Sequence, residues 1–254
     1  MNSFNSLNFE EYGDPADPTV ILLHGTLLSP AQYDEVIKPL EDHYHIITPY
    51  LDGHAQAGKG FDSISSLAEK MLAFISEYFD GKVEMVCGMG IGGQCILEML
   101  AMDEDFCDYA LIESTRCEKA KVYERTNAKV IKAITSNKWS AKAFYMNKHY
   151  PKALFEKWYE DVKSISAEDL KKILTAESDF TVKKLVEHTK VKVLIEVGSR
   201  EGDLIKQAED LHHKIPKSQL ILMYKYRSGD FSMNHVDSYV NLIEKLLHRL
   251  TLNK

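Results

Sequence analysis

The stretch VEMVCGMGIGGQCILEML, Val83 to Leu100, constrains this chain more than any other. An apolar, strand-like run enters a cluster of glycines, and an apolar, helix-like run leaves it. Glycine at such a junction reaches backbone conformations that other residues adopt only with strain. A strand turning directly into a helix is the unit of parallel sheets, because the helix carries the chain back to begin the next strand. Gly88, Gly90 and Gly93 fit G-x-G-x-x-G, the spacing by which a βα turn brings its backbone up to a pyrophosphate. Gly88 and Gly92 equally fit the flanks of G-x-S-x-G, a turn that holds a serine at its apex. In that second register Gly90 stands at the serine position.

The rest of the chain repeats the same alternation. Thr19 to His24 is a short apolar run, as expected of a strand buried on both faces. Ser29 to Leu40 reads as a helix, with Ser29 as N-cap and Pro30 at its first position. A strand follows at His45 to Pro49. Ser63 to Tyr78 spaces Ile64, Leu67, Met71, Phe74, Ile75 and Tyr78 as one face of a helix. Strands at Lys82–Cys87, Asp108–Glu113, Val191–Val197 and Gln219–Tyr224 alternate with helices at Ile91–Met102, Leu204–Lys214 and Met233–Leu250. This order predicts an α/β fold with a central, mostly parallel sheet flanked by helices. Between Lys119 and Lys190 the alternation stops and only helical patterns remain: Ala128–Ile134, Ala141–Asn147, Pro151–Val162, Ala167–Leu174 and Thr181–His188. We expect a core domain of residues 1–118 and 191–254, and a helical cap of residues 119–190 of the kind that lids a site.

A chain of 254 residues suits one such domain with an insertion, and can bury a sizeable core. Its four cysteines, Cys87, Cys95, Cys107 and Cys117, show no C-x-x-C pairing and read as free thiols of a reducing cytoplasm. Met1 to Gly13 lacks the basic and apolar pattern of a secretion signal, and no apolar run approaches a membrane span. A cytoplasmic protein with no membrane partner is expected. The net charge of −7 argues against a nucleic-acid partner. The charge is uneven: residues 119–190 carry 16 Lys and Arg against 9 Asp and Glu, a balance of +7 that leaves −14 for the rest. A basic segment on an acidic body suits either a solvated helical face or an anionic ligand.

Two further motifs stand at a distance from the glycine loop. His24-Gly25 ends the first apolar strand, and Asp52-Gly53-His54 follows the next one. With these the chain resembles the α/β-hydrolase superfamily, specifically small esterase-like and lipase-like members related to carboxylesterases and meta-cleavage-product hydrolases. The similarity runs from about residue 20 to residue 247. It implies an α/β-hydrolase fold with a cap, an oxyanion loop at His24, Gly25, Thr26 and Leu27, and a pocket that also includes Met89. It also implies a triad in the chain order nucleophile, acid, histidine. The nucleophile position falls on Gly90. The acid falls on Glu201 after the penultimate strand, with Asp203 as a fallback. Relatives read G-H-G-E-L-S after the last strand, where this chain reads Arg227-Ser228-Gly229-Asp230-Phe231-Ser232, so Ser228 stands where histidine belongs.

Two of three triad positions are therefore altered. Without a side-chain oxygen at Gly90 there is no covalent acyl intermediate. Without an imidazole there is no tuned base. Such a loss costs on the order of 10⁶ in turnover in a well-characterised protease. His235 is the substitute base nearest in sequence, although a capping or packing role suits it too. His24 and His54 read as organisers of their turns, and Cys87 as a core residue. His188, His212 and His213 have no metal-ligand company, so no metal is expected. Phe144, Tyr145, Tyr150, Phe155, Trp158 and Tyr159 divide between cap core and pocket lining.

These features lead us to expect a non-catalytic or altered relative of carboxylic-ester hydrolases. It would bind a small acyl-bearing or anionic molecule without a cofactor. One alternative is a hydrolase or lyase using non-triad residues. The other is a nicotinamide-dinucleotide binder through Gly88, Gly90 and Gly93, with Glu113, 20 residues after Gly93, as the ribose-binding acid.

Overall fold

Period-two alternation decides which helix covers which side of the sheet. In β3 (Thr19–Leu23), Val20 and Leu22 point to one face while Ile21 and Leu23 point to the other, and all four are fully buried. The first face packs α1 (Asp34–Leu40) and α10 (Val236–Thr251) through Val36, Leu40, Tyr239 and Ile243. The second packs α2 (Ile64–Tyr78), α3 (Ile91–Met102) and α8 (Asp203–Lys214) through Leu67, Met71, Ile96 and Leu211. Burial on both faces is what removes polar alternation from these strands.

The computed structural model describes residues 2–4, 7–121 and 124–251. Its sheet has eight strands in the order β1-β2-β4-β3-β5-β6-β7-β8. β4 spans His45–Pro49, β5 Val83–Met89, β6 Cys107–Glu113, β7 Lys192–Gly198 and β8 Ser218–Met223. From β4 to β8 every neighbouring pair is parallel. The expected α/β architecture is therefore observed, with strand ends within two residues of those expected. Two strands were not foreseen. β1 (Asn2–Phe4) pairs antiparallel with β2 (Leu7–Tyr12), which pairs antiparallel with β4. Leu7 and Phe9 are buried in β2 while Asn8, Glu10, Glu11 and Tyr12 are half-exposed, a weaker signal than a continuous apolar run.

Of the helices expected between residues 119 and 190, Pro151–Val162 begins as a 3₁₀ turn, Lys152–Leu154, before its helix starts at Phe155. Thr181–His188 is only a 3₁₀ turn, Lys184–His188. Two expected helices of the remaining chain are also broken. Ser29 to Leu40 is a 3₁₀ turn, Pro30–Tyr33, followed by α1. Ser29 makes no cap bond, because its hydroxyl donates to Asp161 Oδ2 at 2.7 Å. Met233 to Leu250 is divided into α9 (Asp230–Asn234) and α10, with His235 at the junction.

Between β6 and β7 lie α4 (Glu124–Ser136), α5 (Lys138–Asn147), α6 (Phe155–Ser164) and α7 (Ala167–Asp179). Val122 and Tyr123, also within the expected cap, lie outside the described residues. These helices do not form a separate core: Ile134, Ala141, Trp158 and Leu174 join the cluster that α2 and α3 form on the sheet. Polar bonds pin them down as well. Asp161 accepts from Ser29, and Asp169 Oδ1 accepts from the Phe61 amide at 2.7 Å. No helix among the described residues is long and apolar enough to cross a membrane.

Candidate functional site

Between β5 and α3 the chain reverses through a single residue. Gly90 has φ 54° and ψ −116°, a region that glycine enters without strain. The flanking glycines serve close packing. A Cβ on Gly92 would lie 2.4 Å from Leu23 O, and one on Gly88 would lie 2.6 Å from Gly92 C. A Cβ on Gly93 would lie 2.0 Å from Thr115 Oγ1. Contacts with the protein itself thus account for the spacing that also matches a dinucleotide loop. Glu113, expected as the ribose acid in that reading, is fully buried and bonded to the Ser232 amide at 3.2 Å. Its position corrects that expectation.

The two turn histidines build the facing loop from behind. His24 Nδ1 bonds Gly25 O at 3.0 Å, and its Nε2 accepts from the Leu51 amide at 3.1 Å. His54 Nε2 accepts from the Leu27 amide at 3.3 Å, and its Nδ1 bonds Asp52 O. These bonds require both rings to be neutral. Burial holds His24 well below the usual imidazole range and lowers His54 to about 4. Gln32 secures the same loop by accepting from the Gly25 amide at 2.7 Å and donating to Ser232 Oγ at 3.2 Å. His24 and Gly25 are thus supports, whereas Thr26, Leu27 and Met89 line the cavity itself. Leu27 takes φ 60°, which turns the loop toward the elbow.

That cavity measures about 530 Å³ and brings together Gly90, Glu201 and Ser228, the three expected triad positions. Glu201 Oε2 accepts from the Gly198 amide at 2.6 Å and from Ser114 Oγ at 2.9 Å. Burial raises its pKa. Asp203, the fallback acid, lies at the rim and pairs with Arg116 at 3.1 Å. Behind them Glu113 and Glu196 face each other across β6 and β7. Burial raises Glu113 to about 7 and Glu196 well above the carboxylate range.

The sequence did not single out Glu177, from the end of α7. Its Oε1 accepts from Thr26 Oγ1 at 2.6 Å, and Thr26 Oγ1 in turn accepts from the Ile91 amide at 3.3 Å. Ile91 directly follows Gly90, so the Thr26 hydroxyl ties the loop after β3 to the first turn of α3. Gln94 fixes the placement from below by donating to Glu177 O at 3.0 Å and Arg116 O at 3.1 Å. Burial raises the Glu177 carboxyl, opposed by Lys148 and Arg116. No local pattern marks this residue, because the contact spans the chain.

Basic residues surround the opening: Arg116, Lys148, Arg200 and Arg227. Only five of the chain's 31 basic residues are arginines, yet three of these four are. Arginine favours planar anions, which it meets with two parallel bonds. Among the described residues, Arg200 and Arg227 form no ion pair.

His235 and Cys87 fall outside the cavity. His235 is exposed, stacks on Tyr226 at 4.0 Å, and starts α10 by accepting from the Ser238 and Tyr239 amides. It does not reach the cavity as a substitute base. Cys87 is buried and its thiol is pushed up to about 12. Of the cap aromatics, Phe144, Tyr150 and Trp158 line the cavity, while Tyr145 and Phe155 pack among them.

No protein-family model and no curated protein matches the chain. Solved structures match along nearly its whole length. An esterase from Exiguobacterium antarcticum is 15% identical with a TM-score of 0.80, over 94% of this chain and 95% of that one. The enol-lactonase from Burkholderia xenovorans is 15% identical with a TM-score of 0.79, over 95% and 96%. An alpha/beta hydrolase family protein from Desulfitobacterium hafniense is 19% identical with a TM-score of 0.78, over 94% and 100%. At these identities the likeness is one of fold.

Proposed function

We propose that this chain, which has the α/β-hydrolase fold, binds a small anionic or acyl-bearing molecule and does not perform serine-hydrolase catalysis. One observation carries the reading: the elbow turn is intact while its apex is Gly90. The expected histidine position across the cavity is Ser228, and no histidine is among the described residues that line the opening. The arginine-rich rim supports an anionic group on the ligand, because guanidinium pairs with carboxylate or phosphate at modest desolvation cost. The compartment we assign is the cytoplasm, where four buried free thiols would stay reduced. A broad panel of activated esters tests the main claim. We expect no turnover beyond buffer, and ordinary esterase rates abolished by cavity substitutions would refute it.

A second reading rests on Glu177 and Thr26. A hydroxyl 2.6 Å from an enclosed carboxyl resembles a nucleophile with its base. In that reading the chain is an enzyme using residues outside the triad. Glu177→Gln would then abolish a turnover that the wild-type protein displays. Under the binding reading, the same variant changes affinity only.

A further inference from the structure

Glu201 has one oxygen that the protein leaves unanswered. Its Oε2 takes two donors, the Gly198 amide and Ser114 Oγ. Its Oε1 is buried and accepts no hydrogen bond from the described residues. Buried carboxylate oxygens are ordinarily matched with donors, since leaving one unmatched forfeits its hydration without return. The side chain on the facing loop is Ser228, which lines the same cavity but does not bond this oxygen.

Each of these two loops also carries a guanidinium at the adjacent position. Arg200 immediately precedes Glu201, and Arg227 immediately precedes Ser228. Both arginines line the cavity, and neither forms an ion pair among the described residues. The residue with an unmatched acceptor therefore lines the same cavity as two planar cations that form no ion pair among the described residues. Asp203, the other nearby acid, is already engaged by Arg116. The four basic side chains on this cavity make it a poor seat for a metal ion.

We infer that the ligand is bipolar: it carries an N–H donor that bonds Glu201 Oε1 where a triad imidazole would sit, and an anionic group that Arg200 and Arg227 hold. This rests on the anion-binding reading above and adds the second half of the ligand. The cavity volume of about 530 Å³ limits the molecule to a small one.

Imidazol-4-ylacetate and phenylacetate form a pair of probes that share a planar ring and a carboxylate but differ in the ring N–H. Titration calorimetry on the wild-type protein is expected to give at least about tenfold tighter binding of imidazol-4-ylacetate, or ~1.4 kcal/mol. In Glu201→Gln, the Gly198 amide and Ser114 hydroxyl keep the amide oxygen facing them. The new NH₂ then occupies the Oε1 position, where donor meets donor. We expect the preference to vanish and phenylacetate affinity to stay the same. Equal affinity of the two probes for the wild type, or a preference that survives in Glu201→Gln, overturns the inference. If both probes bind equally but Arg200→Ala weakens both, the anion reading stands and only the N–H half fails. If neither probe binds, the anion reading fails and this inference fails with it. Nitrogen-15 shifts of the bound imidazole in the wild type read the N–H bond directly, should Glu201→Gln not fold.

Discussion

Glu177 Oε1 accepts from Thr26 Oγ1 at 2.6 Å across 151 residues of chain, directly above the bare apex of the elbow. A Cβ on Gly90 would lie 3.5 Å from that same carboxyl oxygen and 3.3 Å from Thr26 Oγ1. Helix α7 thus brings a carboxyl to the turn at Gly90, the nucleophile position under the proposed reading.

This proximity sets the outcome of rebuilding the triad. Gly90→Ser and Ser228→His together are expected to raise hydrolysis of 4-nitrophenyl acetate by about a hundredfold over buffer, with neither single change doing so. Nucleophile and base act as a unit, so their effects are far from additive. Gly90→Ser alone should lower stability by about 1–2 kcal/mol, because serine at φ 54° is strained. An inactive double variant that folds would show that the oxyanion loop is not competent.

Neighbouring glycines should respond differently to alanine. At Gly92 the added Cβ meets the Leu23 carbonyl oxygen at 2.4 Å, and backbone cannot move aside cheaply. We expect Gly92→Ala to cost about 3 kcal/mol or more in urea unfolding. Gly90→Ala meets only the Thr26 hydroxyl closely, at 3.3 Å, a side chain that can shift by a few tenths of an ångström, and it adds backbone strain of about 1–2 kcal/mol. Equal costs would mean that the packing of α3 on β3 is looser than described.

Stability should depend on pH in two opposing ways. His54 is held at about 4 in the fold, below its unfolded value of 6.5, so its contribution is complete above pH 6.5 and lost as pH falls toward 4. Relative to His54→Asn, the wild type should lose on the order of 3 kcal/mol over that window. Glu113 is raised by burial to about 7, so its contribution is complete below pH 4.5 and lost as pH rises through 7. Glu113→Gln should therefore gain on the wild type between pH 5 and 8, by about 1–3 kcal/mol. Urea titrations at a series of pH values measure both differences, and a flat difference for either variant would contradict the burial described for that group.

Arg200→Ala and Arg227→Ala together should weaken phenylacetate binding by at least about tenfold, with the loss shrinking at high salt. Lys38→Ala, at an exposed surface pair, serves as the control and should leave binding unchanged. Equal loss in both variants would indicate general charge attraction instead of a site.

Most of the sheet was legible because buried parallel strands are short apolar runs, and α3 was placed residue for residue by the glycine turn before it. The antiparallel edge was not, since half-exposed Glu10 and Glu11 dilute the pattern of β2. The final helix was expected to be continuous because His235 does not break apolar spacing; its stacking on Tyr226 became visible only in three dimensions. Gly90, Glu201 and Ser228 were expected together from the resemblance stated above, and they line one cavity because each follows the end of a strand of the same sheet.

The sequence alone determined the alternation of strands and helices and the glycine at the turn between β5 and α3. Those are local facts, carried by spacing within one turn or one strand. Only the tertiary structure brought Glu177 onto Thr26, gathered three arginines around one cavity, and left a Glu201 oxygen without a donor. Such contacts join segments tens to hundreds of residues apart. They follow from how the cap and the loops pack together, which no periodicity along the chain records.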